Sequence, residues 1–365
     1  MIRSKNIGAR ESAAEVVIFL DAHCEVNTNW LPPLLAPIAE DSRSVTVPIV
    51  DQIDHTTFQY APVYHRDERP VGIWEWGLLY KETRGIDPRH DDPEHMSASY
   101  PSPLHAGGLI AVNREYFLSL GGYDPGLLVW GGEQYELSFK VWLCGGRVVW
   151  CPCSRVGHVY RSQVPYTMGH FMKEIRGQDL VTRNLKRVVE VWMDEEHKQY
   201  FYTRHPLHKY IPIGDISEQL EFRAQCRPFS WLMANVAPML TTEYPHPPDN
   251  RYWGLVTFAP VSSVCWRPRC IHPGCKLTAS KDCELAPGRD EVVRLNVAGQ
   301  LGLGERCIVP VVTSDTTAEL EVAVCPPRSV SGDWRYNEDD LTMRDRKSTR
   351  LNSSHSQQSR MPSSA

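Results

Sequence analysis

The chain has 365 residues, 42% of them hydrophobic and 23% charged, so it can bury a sizeable core and is not a disordered polymer. A formal net charge of −5 without a basic stripe gives no nucleic-acid footprint. No apolar run approaches the ~18 residues needed to span a bilayer, and the length suggests two domains.

Val16 to Leu20 form a short apolar, β-branched run of strand length that ends on Asp21, with His23 and Cys24 just beyond. Ligands of open α/β sheets gather at the carboxyl ends of strands. If the chain stays extended there, Asp21 and His23 point to the same side, and the pair could hold a divalent metal such as Mn²⁺. The competing reading is an aspartate that turns the chain and a histidine that is merely exposed.

"NTNWLPPLLAPIAED" predicts a modest helix capped by Thr28 or Asn29, with Pro32 and Pro33 in or near its first turn, where proline costs least. "RSVTVPIVDQI" predicts a strand, and "HTTFQY" opens an irregular segment. "GIWEWGLLYKE" carries Trp74 and Trp76, whose spacing suits a groove or a core equally. "GIDPRHDDPEHMSASYPSP" reads as a surface loop. "LHAGGLIAVNREYFLSLGGYDPG" predicts a strand, a helix capped by Asn113 and a glycine-rich turn. "GGEQYELSFKVWLCGG" predicts a helix between two glycine pairs, the second a natural C-cap. "RVVWCPCSRVGHVYR" reads as a strand and then a loop, and a long helical pattern runs from Phe171 to about Tyr202. Alternating strands and helices predict an α/β sheet domain over roughly the first 200 residues.

After about Pro245 the character changes. "EYPHPPDNRYWG" is linker-like, and the short apolar runs beyond it predict a small β domain. The tail "RKSTRLNSSHSQQSRMPSSA" is polar, low in complexity and similar to translated library-adapter sequence. It is excluded from fold reasoning, with the sequon at Asn352. Eleven cysteines, an odd number, leave at least one thiol unpaired within the chain. Cys265, Cys270, Cys275 and Cys283 crowd one stretch without the paired spacing of a zinc site, which favours disulfides and a secretory compartment. The opening "MIRSKNIGARESAAEVV" lacks the apolar core of a signal peptide, so the natural N-terminus is expected to lie further upstream.

Three stretches, "FLDAHCEVNTNWLPPLL", "WGGEQYELSFKVWLCGGRVVWCPCSRVGHVYR" and "NLKRVVEVWMDEE", together resemble the polypeptide N-acetylgalactosaminyltransferases. The likeness runs from about Arg3 to about Trp231, and a string such as "CSRVGHVYR" is far more specific than a short motif. It implies a GT-A-type nucleotide-sugar-binding α/β domain over 1–235, incomplete at its N-terminal end. A linker over 236–252, a degenerate ricin-like β-trefoil lectin domain over 253–345 and a disordered tail over 346–365 would follow. The implied activity is transfer of N-acetylgalactosamine (GalNAc) from UDP-GalNAc to Ser or Thr of a protein or glycopeptide. This retaining, Mn²⁺-dependent step initiates mucin-type O-glycosylation. The implied setting is the Golgi lumen, for a full-length parent anchored as a single-pass type II membrane protein whose anchor is not in this chain.

By the same resemblance, Asp21, His23 and His158 are the metal ligands, and Arg161 contacts the diphosphate. Tyr166 lies in "RSQVPY", which resembles a family loop that closes over the donor, and Val164 replaces a histidine of some relatives there, which puts a uracil-stacking contact in doubt. Glu133 binds and orients the sugar, a helix-capping role being its alternative. Ala106, Gly107, Gly108, Trp130 and Gln134 belong to the sugar and acceptor pocket, and Trp76 to an acceptor groove. Gln134 replaces a more usual asparagine. Cys144 is expected to pair with Cys226, and Cys153 to lack its partner. The lectin repeats "SVCWRP" and "RCIVP" lack the expected aspartate, and no Gln-x-Trp follows, so strong sugar binding there is not expected. The alternative function is a catalytically incompetent relative that only binds peptides or glycopeptides; a metal-dependent hydrolase has only the Asp/His pairing behind it.

Overall fold

A computed structural model describes residues 1–65, 68–85, 92, 95–160, 179–257, 264–268, 270, 272–281, 283, 292–314, 317–325, 334–337 and 342–345. Arg161, Val164 and Tyr166, and residues 171–178 of the long helical pattern, lie outside these. The chain divides into two units, Met1–Lys198 with Ile211–Pro245, and Gln199–Tyr210 with His246–Ala365.

The first unit opens with helix α1 (Ile2–Glu11), whose buried face is Ile2, Asn6 and Ala9. Asn6 is satisfied in the core, because its amide donates to Tyr123 O at 2.7 Å and its carbonyl accepts from Tyr123 N at 2.8 Å. Strand β1 (Val16–Phe19) alternates half-buried and buried residues, as expected of a pleated strand. Then come β2 (Cys24–Val26), helix α2 (Pro32–Glu40), β3 (Ser44–Asp54), β4 (Tyr60–Ala61), the hairpin β5 (Pro70–Trp74) and β6 (Tyr80–Arg84), and β7 (Tyr100–Pro101). Strand β8 (Ile110–Asn113), α3 (Arg114–Ser119), α4 (Glu133–Leu143) and β9 (Arg147–Tyr160) complete the sheet region. Among the described residues the sheet runs β1-β8-β3-β9-β2, with β4 on β3 and β7 on β9.

The central pair β3 and β9 is parallel, and the first six residues of β3 are all buried, which is the pattern of a strand covered on both faces. Pro48 cannot donate to the ladder, and the register slips between Pro48 and Ile49, where β9 carries its extra residues. A proline in a central strand thus falls at a bulge, as backbone hydrogen bonding requires.

Several local expectations hold. Asn113 Oδ1 accepts from Tyr116 N and caps α3. Gly145, at φ 91°, follows the end of α4 while Gly146 N donates to Val141 O at 2.8 Å, so the glycine pair closes the helix. Others change. Helix α2 starts after Leu31 with no side-chain cap, because Asn29 takes a left-handed turn at φ 58° and the prolines at its start have no N–H to satisfy. The long helix is broken. Helix α5 (Leu180–Trp192) ends where Met193 is extended, and a new helix, Glu195–Arg204, starts after Asp194, whose carboxylate accepts from His197 N at 3.2 Å.

Cys144 and Cys226 form a disulfide, and Cys24, Cys151 and Cys153 carry none. In the second unit a sheet runs Asn250–Gly254, Val293–Asn296, Leu301–Leu303, Arg306–Ser314 and Thr317–Ala323, each antiparallel to the next. Its core gathers Val256, Trp266, Leu295, Leu301, Ile308, Val322 and Trp334. Cys265–Cys283 and Cys307–Cys325 bridge equal spans of 18 residues, and Cys270–Cys275 closes a third loop.

Candidate metal and sugar site

The residues after β1 do not stay extended. Residues 22 and 23 form a turn into β2, so the same-side argument for Asp21 and His23 fails in its reason. The sheet brings them together instead. Cys24 pairs with His158 in the β2–β9 ladder, and Val159 N donates to His23 O at 3.1 Å. Asp21, His23 and His158 therefore converge, each half-buried, with one ligand atom apiece all within 4.8 Å of one another. His158 Nε2 lies 3.5 Å from Asp21 Oδ2, and the two imidazoles stand edge to face with ring centroids 4.5 Å apart.

The chemistry of this donor set fits a divalent cation. One carboxylate oxygen and two imidazoles suit Mn²⁺ or its neighbours. The hydrogen bond from His158 holds the Asp21 carboxyl below the usual carboxylate range, against the opposing effect of burial, so the oxygen ligand is ionised at neutral pH. His158 Nδ1 is buried and has no hydrogen-bond partner among the described residues. Gly108 supplies the cradle: a Cβ there would stand 2.9 Å from both Asp21 oxygens. Ala106 and Gly107 share the same half-buried turn, with Gly107 at φ 121°.

Glu133 is the first residue of α4 and is 4% exposed. Gly131 N donates to its Oε2 at 2.7 Å. Burial pushes its carboxyl up, while its own backbone N–H, the Lys5 ammonium and Gly131 N–H act to lower it. The charges of Asp21 and Lys5 are both felt at Glu133, so the acid belongs to the electrostatic neighbourhood of the candidate metal site. Trp130, 46% exposed, sits in the loop before it, and Gln134 is half-buried.

Trp76 is corrected. It is 1% exposed, and its indole N–H donates to Tyr244 O at 2.8 Å. With Trp74, which is fully buried against Phe139, it is core rather than acceptor groove, because the β5–β6 hairpin folds inward.

Two residues that sequence reasoning passed over shape this region. Asn184, fully buried on α5, accepts from Leu128 N at 3.0 Å and donates to Leu128 O at 2.7 Å and Gly131 O at 2.9 Å. It pins the loop that carries Trp130 and leads into Glu133; the one available signal was an amide in the middle of an apolar helical stripe. Lys5 on α1 has a buried Nζ with no hydrogen-bond partner among the described residues. Burial lowers its pKa, and Glu133 and Asp21 oppose that.

Residues 1–101 match glycosyl transferase family 2, and residues 89–163 match the N-terminal domain of galactosyltransferase. Fold and matches together define a GT-A-type glycosyltransferase domain. The chain is 50% identical over 340 residues to N-acetylgalactosaminyltransferase 7 of Drosophila melanogaster, covering 93% of this chain and 56% of that protein. It is 44% identical over 265 residues to human polypeptide N-acetylgalactosaminyltransferase 10, covering 70% of this chain and 41% of that one. A crystal structure of GalNAc-T7 with UDP, GalNAc and Mn²⁺ superposes with a TM-score of 0.81 at 34% identity, covering 94% of this chain and 62% of the other. The chain thus belongs to the polypeptide N-acetylgalactosaminyltransferase family, and it spans about half the length of the curated relatives it matches.

Proposed function

We propose that this chain is the catalytic part of a retaining glycosyltransferase that moves GalNAc from UDP-GalNAc to a Ser or Thr hydroxyl of a polypeptide or glycopeptide, with Mn²⁺ as cofactor. The convergence of Asp21, His23 and His158 on one point carries this reading, supported by a structural relative solved with UDP, GalNAc and Mn²⁺.

Asp21, His23 and His158 would hold the ion, which when bound supplies Lewis-acid neutralisation of the departing diphosphate. Glu133, fixed by Gly131 N–H at the start of α4, binds and orients the sugar hydroxyls rather than attacking the anomeric carbon. The Ala106–Gly107–Gly108 turn leaves room for the sugar to approach backbone, and exposed Trp130 offers an apolar face with a polar handle. Gln134 is assigned to the same pocket, and by the family resemblance of "SRVGHVYRSQVPY" Arg161 is assigned to the diphosphate and Tyr166 to substrate binding. The acceptor oxygen bonds to the anomeric carbon on the face from which UDP leaves, and its proton goes to the departing phosphate oxygen.

The second unit is read as a degenerate ricin-type lectin module; its support is the β-rich core and the two disulfides of equal 18-residue span. The compartment is read as the Golgi lumen, in keeping with four disulfides. Calorimetry of UDP with the chain, with and without Mn²⁺, followed by a transfer assay on a Thr-rich peptide, tests the reading. Metal-dependent UDP binding and transfer are expected. Folded protein that neither binds nor transfers would remove it.

A further inference from the structure

His105 is fully buried, one residue ahead of the Ala106–Gly108 turn. Its backbone N–H donates to Ser138 Oγ on α4 at 3.1 Å. Its Nδ1 accepts from Gly107 N–H at 3.2 Å, which puts the ring proton on Nε2. That Nε2 is buried and has no hydrogen-bond partner among the described residues. Burial drives the imidazole pKa down to about 3, with the Lys5 charge acting in the same direction, so the ring is neutral and keeps one tautomer throughout the physiological range.

As a stability device this residue is poorly chosen. A buried ring N–H without an acceptor costs free energy that an apolar side chain of similar volume would not. What imidazole adds is the acceptor for Gly107 N–H. That turn needs such a hold, because Gly107, at φ 121°, is free to visit many other conformations and nothing in its own chemistry fixes this one. The chain before it is anchored otherwise: Leu104 N donates to Gly72 O, and Leu104 O accepts from the Trp150 indole, each at 3.0 Å. The next residue after Gly107 is Gly108, where the Asp21 carboxylate occupies the space a Cβ would need.

We propose that His105 is a positioning residue for the metal site. Through Nδ1 it fixes the Gly107–Gly108 turn that seats Asp21, and through its backbone it ties that turn to α4, the helix that begins with Glu133. The chain of contacts is His105 Nδ1 to Gly107 N–H, the Asp21 carboxylate filling the space a Cβ on Gly108 would need, and Ser138 Oγ back to His105 N–H. The inference rests on the reading of Asp21, His23 and His158 as Mn²⁺ ligands.

The test compares His105→Asn, whose amide oxygen occupies the place of Nδ1, with His105→Met, which fills volume and accepts nothing. Mn²⁺ affinity is read by electron paramagnetic resonance on the whole chain without nucleotide, beside the thermal midpoint of each variant. H105M is expected to bind Mn²⁺ at least fivefold more weakly than wild type, and H105N within twofold, whatever the order of their midpoints. Wild-type affinity in H105M, or H105N as weak as H105M, overturns the proposal. If H105M does not fold, Ser138→Ala decides: a loss of threefold or more supports the tie to α4, and unchanged affinity overturns it. Wild-type protein that binds no Mn²⁺ removes the metal reading itself and this inference with it.

Discussion

His158 Nε2 stands 3.5 Å from Asp21 Oδ2, a residue 137 positions earlier in the β1–β2 connection, because Cys24 and His158 are partners in the β2–β9 ladder. The ladder, not the local chain, sets the geometry of the candidate metal site. Removing either side chain leaves two ligands where three converged. Asp21→Asn, which loses the anionic oxygen, and His158→Ala are each expected to weaken Mn²⁺ binding by about a hundredfold or more, at or beyond the upper end of what losing a mere outer-shell partner costs. Calorimetric titration with Mn²⁺ checks this, and a variant that binds like wild type would mean the metal lies elsewhere.

Gly108 offers a finer probe. A Cβ at this position meets both Asp21 oxygens at 2.9 Å, closer than real contacts allow. Its backbone is not in the left-handed region, so the clash is the main cost. Gly108→Ala should push the half-buried carboxylate aside, weakening Mn²⁺ about tenfold while stability falls by only about 1 kcal/mol. In an Asp21→Asn background the same change should cost much less, because contacting residues are not additive. Equal effects in both backgrounds would disconnect Gly108 from Asp21.

Much of this was legible in the chain, and the exceptions have physical causes. Strand β1, the Asn113 cap and the glycine stop after α4 depend on local chemistry, so local reading suffices. The break between Trp192 and Glu195 was also written locally, in an aspartate able to cap His197 N, but a continuous apolar stripe masked it. Asp21 and His23 were readable as neighbours. Their juxtaposition with His158 depends on strand pairing, which spacing does not encode, and only the family resemblance reached it. Trp76 was misassigned because an aromatic in a hairpin reads alike whether it faces groove or core. Lys5 and Asn184 matter through groups more than fifty positions away, and His105 through Ser138, 33 positions on, and through a ring nitrogen left unpartnered among the described residues; none of this is visible along the chain.

Glu133 sets function against stability. Burial raises its folded pKa above the unfolded value despite the donors around it. A carboxyl raised in this way stabilises the fold at pH below its unfolded pKa and loses that contribution as pH rises through the folded one. Glu133→Gln should therefore keep or raise the thermal midpoint at pH 7 and lose that advantage as pH falls towards 4.5, the ordinary glutamate value. Transfer should fall about a hundredfold or more from lost sugar orientation. A midpoint that drops at pH 7 would show that the acid is structural, like a helix cap.

The last prediction concerns the ion pair that supports β9 before it reaches His158. Asp51 is fully buried on β3. Arg155 grips it with Nε at 2.8 Å and Nη2 at 2.6 Å, Tyr60 donates its hydroxyl at 2.5 Å, and Val63 N–H donates at 3.0 Å. Burial raises the Asp51 pKa, but these donors outweigh it and hold the carboxyl below its ordinary 3.8. The pair thus stabilises the fold above that value, and the contribution fades as pH falls through the lower folded pKa. Arg155→Met strands a buried carboxylate and should cost ~3 kcal/mol at pH 7. Without the guanidinium the folded pKa of Asp51 rises, so protonation relieves the variant at a pH where wild type is still ionised. The deficit should accordingly shrink between pH 7 and pH 4, and Asp51→Asn added to Arg155→Met should recover part of it at pH 7. Urea unfolding of the three proteins at both pH values reads these differences directly, and a deficit that stays constant or grows on acidification would show that Asp51 does not depend on Arg155.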